Sequence, residues 1–227
     1  MVDSFEAIMV DIGSYNIKAG FSGEDAPKVL MPTVLGRAKS KGLLVGMDQK
    51  DIFVGNEALS KKVALNLVYP VEKGAIEEDE ESEDMDEVLK HLMNTELKCS
   101  FEDQKVMLSE PPNNTMEQRK FVAEKMFETF DVKSLYFAPQ PVLSLYASAR
   151  TTGTVIDCGH CCSYAVPIYE GYYIPHATLT MPLGGRDLSQ FMFNILDQRN
   201  AFPQSDETII YDVDVARVIK ERDCKVA

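Results

Sequence analysis

The chain has no long apolar run, a deficit of basic residues and no cysteine pattern that would build a disulfide framework. No stretch of its 227 residues approaches the roughly 18 consecutive apolar residues of a membrane-spanning helix. Its opening, Met1-Val2-Asp3-Ser4-Phe5-Glu6, has neither the basic segment nor the apolar core of a secretory leader. These absences predict no membrane partner and a cytoplasmic setting. Lys and Arg total 23 against 36 Asp and Glu, a net charge of −13, and the basic residues are scattered. Nucleic acid is therefore a poor partner class, because a grip on the phosphate backbone needs Lys and Arg gathered on one face. The five cysteines are odd in number and three crowd at Cys158, Cys161 and Cys162, which suits reduced thiols better than a secreted scaffold. Against these absences stands a composition that is 45% apolar, enough to bury one sizeable core or two smaller ones.

Strand and helix signals alternate along the chain. Glu6 to Val10 reads as a strand ending in Asp11-Ile12-Gly13-Ser14, and Asn16 to Phe21 resumes extended structure, giving a hairpin with its turn at Gly13 to Asn16. The same order returns at Thr154 to Gly159, followed by the apolar Ala165 to Tyr169. An Asp-x-Gly turn between two strands, met twice, implies an internal duplication with two related lobes facing each other across a cleft. Between the copies, Thr115 and Gln118 have capping-box spacing ahead of Phe121, Val122, Met126, Phe127 and Phe130, which predicts a helix. Val106-Met107-Leu108, halted by Pro111-Pro112, and Ser134 to Phe137 read as strands. Further helices are expected over about Val88–Met93, Pro141–Arg150, Arg186–Leu196 and Asp214–Arg222. The acidic run Glu77 to Glu87 reads as a solvated loop entering the first of these helices, where carboxylates suit the positive end of the dipole. The pattern is that of an α/β fold.

Two opposed Asp-x-Gly turns suit a metal-bound polyphosphate. Each glycine admits close backbone approach, the N–H groups form an anion-binding concavity, and Asp11 and Asp157 can hold magnesium through its waters. Gly13 and Gly159 are the turn glycines, Ser14 adds a hydroxyl donor, and Lys18 adds a point charge for phosphate oxygens. A single Asp-x-Gly is a common structural turn; the recurrence in matching strand contexts is what points to a ligand. A metal site made by His160, Cys158, Cys161 and Cys162 is the rival for the second turn, but ligands so close in sequence rarely close a tetrahedron. Small apolar thiols in a degenerate phosphate turn account for the same residues.

Longer strings make the resemblance specific. Asp11-Ile12-Gly13-Ser14, Lys18-Ala19-Gly20-Phe21, Gly46 to Asp51, Tyr69-Pro70, Leu143 to Ser148, Arg150-Thr151-Thr152-Gly153, Val166 to Tyr172 and Gly185-Arg186-Asp187-Leu188 are similar, in order, to the actin family. That resemblance implies an actin-like ATPase fold of duplicated ribonuclease-H-like lobes around a nucleotide cleft, here C-terminally incomplete. Residues 1–147 would form the first lobe, with a small inserted subdomain at about 33–70, and residues 148–227 a partial second lobe. It further implies ATP and Mg2+ as cofactors, Gln140 orienting the attacking water, and Gly185 with Arg217, Lys220 and Glu221 beside the adenosine. Ser40 to Asp51 resembles the loop that inserts into the next filament subunit; an ordinary flexible hairpin is the alternative. The implied partners are actin or actin-like subunits and actin-binding proteins, and the implied setting is the cytoskeleton.

The departures from the family pattern bear on catalysis. His160 stands where actins carry an aspartate, Cys161 and Tyr15 stand at glycine positions, and Tyr164 replaces a histidine that helps to order the water. Pro139 and Pro141 flank Gln140, and Lys73 occupies the position of a modified histidine. The expectation is an actin-like cytoskeletal protein binding ATP–Mg with slow hydrolysis at best. The alternative is a non-catalytic actin-related subunit of a cytoskeletal or chromatin complex. A small-molecule kinase of the same superfold is disfavoured by the lack of a carboxylate placed to act as substrate base beside the second turn.

Overall fold

The first hairpin forms as its apolar alternation requires. Ile8, Val10 and Ile12 of β1 (Ile8–Ile12) lie opposite Phe21, Ala19 and Ile17 of β2 (Asn16–Phe21), and five of these six side chains are buried on one face. The computed structural model describes residues 7–39, 51–72, 75–76, 83–201 and 213–225. The chain continues through β3 (Val29–Pro32), β4 (Leu35–Ala38), β5 (Ile52–Val54), α1 (Asn56–Ser60), β6 (Leu65–Val68), β7 (Val71–Glu72) and β8 (Ala75–Ile76). Next come α2 (Asp84–His91), β9 (Lys105–Glu110), α3 (Met116–Glu124), β10 (Ser134–Pro139) and α4 (Gln140–Ala147). The described elements end with β11 (Gly153–Cys158), β12 (Ser163–Tyr169), β13 (Tyr172–Tyr173), β14 (Leu179–Met181), α5 (Gly185–Gln198) and α6 (Val213–Asp223).

The largest sheet has the order β10-β9-β1-β2-β3, with β9 and β10 parallel to the central β1 and the remaining pairs antiparallel. Its buried face meets Met85, Val88 and Leu89 of α2, Leu92, Met93 and Leu97 just beyond it, and Met126 after α3. A second sheet is built on β12, which pairs with β11 on one side and with β13 and β14 on the other. Val155, Tyr164, Val166 and Ile168 pack on Val142 and Leu145 of α4, so this helix covers one face. On the opposite face, Ile156, Ala165 and Leu179 line up across three strands, with Ile156 at 75% and Leu179 at 71% exposure. A small sheet, β5-β4-β6, has its own core of Val34, Phe53, Ala58 and Leu65. The architecture is the α/β fold expected, with each expected strand and helix present within the described residues.

Some local expectations need correction. Thr115 caps α3, its hydroxyl accepting from Gln118 N–H at 3.1 Å. The Gln118 side chain, however, reaches away to the carbonyl of Ile76 at 3.1 Å, so the reciprocal half of the capping box is replaced by a tertiary tie. Both α2 and α3 run on as wider π turns, over Leu92–Leu97 and Lys125–Thr129. Of the acidic run, Asp84 and Asp86 are buried, at 8% and 6% exposure, rather than solvated. Asp84 pairs with Arg37 of β4, and Asp86 with Lys125 at 2.9 Å. Partners distant in sequence made burial of these carboxylates feasible, since a buried charge requires a counter-ion. Residues 77–82, the string Gly46–Lys50 within the Ser40–Asp51 loop, and Lys73 lie outside the described residues.

Lys125 is held against a carboxylate that has one oxygen without a hydrogen-bond partner. Removing the ammonium should therefore be costly. Lys125→Met is expected to lower stability by about 3 kcal/mol, the scale of breaking a buried pair. Adding Asp86→Asn should restore part of the loss. Urea midpoints of the single and double variants check both outcomes.

Candidate functional site

Two turns of the same construction define the site. In the first, Gly13 N–H donates to the Asn16 carbonyl at 3.1 Å; in the second, Gly159 N–H donates to the Cys162 carbonyl at 2.9 Å. A Cβ at Gly13 would stand 2.7 Å from that same Asn16 oxygen, and one at Gly159 would stand 2.9 Å from the Cys162 oxygen. Only glycine closes either turn without displacing backbone. The two Asp-x-Gly strings thus have a physical counterpart in a four-residue hydrogen-bonded turn made twice.

Around the first turn a polar network converges on Asp11. One carboxylate oxygen accepts from Lys18 Nζ at 2.9 Å. The other accepts from the Ser109 hydroxyl and from Gln140 Nε2 at 3.1 Å, and Gln140 Nε2 also lies 3.2 Å from Ser109 Oγ. The participants come from β1, β2, the end of β9 and the first residue of α4, so the parallel β1–β9–β10 pairing is what gathers them. Gln140 opens α4 because Pro139, in extended conformation, stands before the first turn and Pro141 tolerates its lack of N–H there. Ser14 lies half-buried in the turn itself. Ser109 was not singled out from the sequence, where it is merely a strand residue ahead of two prolines. Only the register that sets β9 beside β1 reveals it.

Around the second turn the supports are α5 and α6. Gly185 N–H donates to the Gly159 carbonyl at 3.0 Å and Arg186 N–H to the His160 carbonyl at 2.8 Å, seating the N-terminus of α5 on the turn. Lys220 of α6 donates to the Gly185 carbonyl and to Ser189 Oγ, both at 2.9 Å. Arg217 sits one helical turn earlier, within 3.6 Å of Glu221. Asp157, one residue before the end of β11, lies directly across from Tyr164. Gly159, Gly185 and Lys220 are thus in one hydrogen-bonded group, and Arg217 with Glu221 flanks it.

The two halves meet at Tyr15 and His160, whose ring centroids are 4.7 Å apart and tilted by 39°. The Arg217 guanidinium lies over the other partner of this contact, 5.1 Å from the Tyr15 ring centre. Asn113 donates to Thr180, and Lys62 pairs with Asp214 at 2.9 Å, adding two further ties between the β1 and β12 sides. The donor set of this region is cationic and rich in hydrogen-bond donors: Lys18, Arg186, Arg217 and Lys220, beside two turns free of Cβ. In a chain of net charge −13, that concentration fits a polyanion.

Tyr164 stands at the position aligned with the family's water-ordering histidine. It is buried, and its hydroxyl accepts from Cys162 Sγ at 2.9 Å. Burial, followed by that thiol contact, drives its acidity well below that of an ordinary phenol, so it stays neutral across the working pH range. The alternation along β12 explains its place, because Tyr164, Val166 and Ile168 share the face under α4. Cys161 and Cys162 are also buried, while Cys158 is exposed on the other face.

The class that these observations define is an α/β protein with two glycine turns of the same construction brought together beside a group of cationic side chains. The comparisons make the class specific: the Actin family model matches residues 2–218, and the chain belongs to the actin family. It is 38% identical to centractin of Schizosaccharomyces pombe (strain 972) over 224 residues, 98% of this chain and 57% of that protein. The chain therefore spans a little over half the length of that curated relative.

His160 is half-buried and faces Arg186, Lys220 and Arg217, with the Asp187 carboxylate acting in the opposite sense. Burial first, then those cations, holds its pKa below the usual histidine value of 6.5. A depressed folded value means that the unfolded chain binds the proton more readily. The contribution to stability is therefore complete above pH 6.5 and is lost as pH falls through the folded value. An NMR titration should place the His160 imidazole below the free-histidine range. His160→Gln should flatten that part of the stability–pH profile.

Proposed function

We propose that this chain is an actin-like subunit that binds ATP–Mg between two lobes, residues 1–147 with an inserted subdomain at about 33–70 and residues 148–227, with slow hydrolysis. The observation that carries the reading is the paired glycine turns, the first beside the Asp11–Lys18 pair and the second seated on α5, which Lys220 holds. Lys18 would neutralise phosphate oxygens at the first turn, with Ser14 and the turn N–H groups as further donors. Asp11 and Asp157 would hold magnesium through its waters, and magnesium when bound supplies charge neutralisation on the phosphate chain. Gly185, Arg217, Lys220 and Glu221 would border the adenosine. Gln140 is held at the start of α4 by Asp11 and Ser109, and from there its side-chain amide would orient the attacking water.

Slow turnover follows from what surrounds that water. Gln140 supplies one positioning group, whereas Tyr164, which would stand opposite, is buried against Cys162. Loss of a positioning contact typically costs about 10- to 1000-fold in rate. Membership of the actin family and similarity to centractin support a cytoskeletal role with actin-like subunits and actin-binding proteins as partners. A second reading, a non-catalytic actin-related subunit of a cytoskeletal or chromatin complex, is favoured by the ring contact of Tyr15 and His160 between the turns.

Phosphate release from protein saturated with ATP–Mg separates the two readings. Under the leading one, the wild-type chain releases phosphate slowly and Gln140→Ala lowers the rate about 10-fold or more. Asp11→Asn should weaken nucleotide binding itself, measured with a fluorescent ATP analogue. Undetectable binding by the wild type at millimolar nucleotide would favour the non-catalytic subunit.

A further inference from the structure

We propose that Tyr15 and His160 form an aromatic clasp that ties the two glycine turns together and must part before a polyphosphate is seated. This inference deepens the nucleotide reading above and rests on it for the identity of the ligand. The clasp has well-anchored roots. The Tyr15 carbonyl accepts from Thr33 N–H at 2.9 Å and the Gly13 carbonyl from Thr33 Oγ1 at 2.7 Å, so β3 pins the first turn. The His160 carbonyl accepts from Arg186 N–H at 2.8 Å, so α5 pins the second. With each turn anchored to its own side, the 4.7 Å ring contact is the tie that joins the two turns directly.

The clasp has a third member. Arg217 rests on the Tyr15 ring at 5.1 Å, while its own carboxylate contacts are loose, at 3.9 Å to Asp214 and 3.6 Å to Glu221. A guanidinium so placed is held in part by the ring and in part by distant carboxylates, and a phosphate oxygen offers it a better partner. The groups facing His160 act in the same direction. Arg186, Arg217 and Lys220 oppose its protonation, with Asp187 and Tyr15 as the remaining neighbours, so the ring meets Tyr15 as a neutral imidazole. The stack therefore depends on ring-on-ring contact and burial, both of which an entering polyanion disrupts. A polyphosphate between the turns competes for the same space as the two rings and for the same guanidinium.

The test uses the 227-residue chain and four variants: Tyr15→Ala, Tyr15→Phe, His160→Ala and the double alanine. Amide hydrogen exchange without nucleotide reads the tie directly. Tyr15→Ala should speed exchange in the 157–163 segment several-fold, on the turn it does not belong to, and His160→Ala should do the same for 13–18. The double variant should add little to the larger single effect, and Tyr15→Phe should match wild type, since it keeps the ring. Titration with a fluorescent ATP analogue and magnesium reads the competition: both alanine variants should bind about 10-fold more tightly, equivalent to 1.4 kcal/mol. Unchanged exchange on the opposite turn overturns the clasp. Weaker nucleotide binding after ring removal overturns the competition, because the rings would then be nucleotide contacts. If no variant binds nucleotide, the nucleotide reading and the gating half of this proposal fall together, and exchange still decides whether the rings tie the turns.

Discussion

Everything at the centre of this protein depends on a backbone N–H reaching a carbonyl three residues ahead at positions where no Cβ intervenes. Gly13 and Asn16 make that bond at the end of β1, and Gly159 and Cys162 make it at the end of β11. The reversal it creates sends β2 and β12 back along their partners in register. In the first half, β9 then lies parallel to β1 and delivers Ser109 and, through β10, Gln140 to the Asp11 carboxylate. In the second half, α5 starts on the turn and α6 locks onto α5 through Lys220. Chemistry-bearing side chains from far along the sequence thus converge because two tight turns leave the strand ends in the right places.

Charge is distributed unevenly on this scaffold. Acidic residues outnumber basic ones, 36 to 23, yet Arg186, Arg217 and Lys220 all act on His160. Elsewhere the cations are spent in pairs that hold elements together: Arg37 with Asp84, Lys125 with Asp86, and Arg119 with the buried Glu110 at 3.1 Å. The cations gathered near His160 thus stand against a net charge of −13 for the chain.

The fold was largely legible from local signals. The apolar alternation of Ile8-Met9-Val10, the Thr115 cap and the Pro-flanked start of α4 each specify an element by chain-local chemistry, and these are the elements found. The glycine turns were legible for the same reason, since a missing Cβ is a property of one position. What escaped notice depends on neighbours distant in sequence. Ser109 joins the site only through the β1–β9 register. Tyr164 belongs to the core because β12 presents alternate residues to α4, a fact invisible when it is aligned one position at a time. Asp84 and Asp86 are buried because Arg37 and Lys125 come from other elements. The Tyr15–His160 contact joins residues 145 positions apart, and neither side chain announces the other.

The uncovered face of the second sheet has a thermodynamic consequence. Ile156, Ala165 and Leu179 form one apolar row across β11, β12 and β14, and Met181 extends it at 51% exposure. Ile156 and Leu179, the most exposed of the row, gain little further hydration on unfolding, so they add little to the heat capacity change. A typical domain gains about 12–15 cal/mol/K per residue from newly wetted apolar surface. The β12 half of this molecule falls short of that value wherever the row stays open to water. A smaller heat-capacity change bends the stability curve less sharply with temperature.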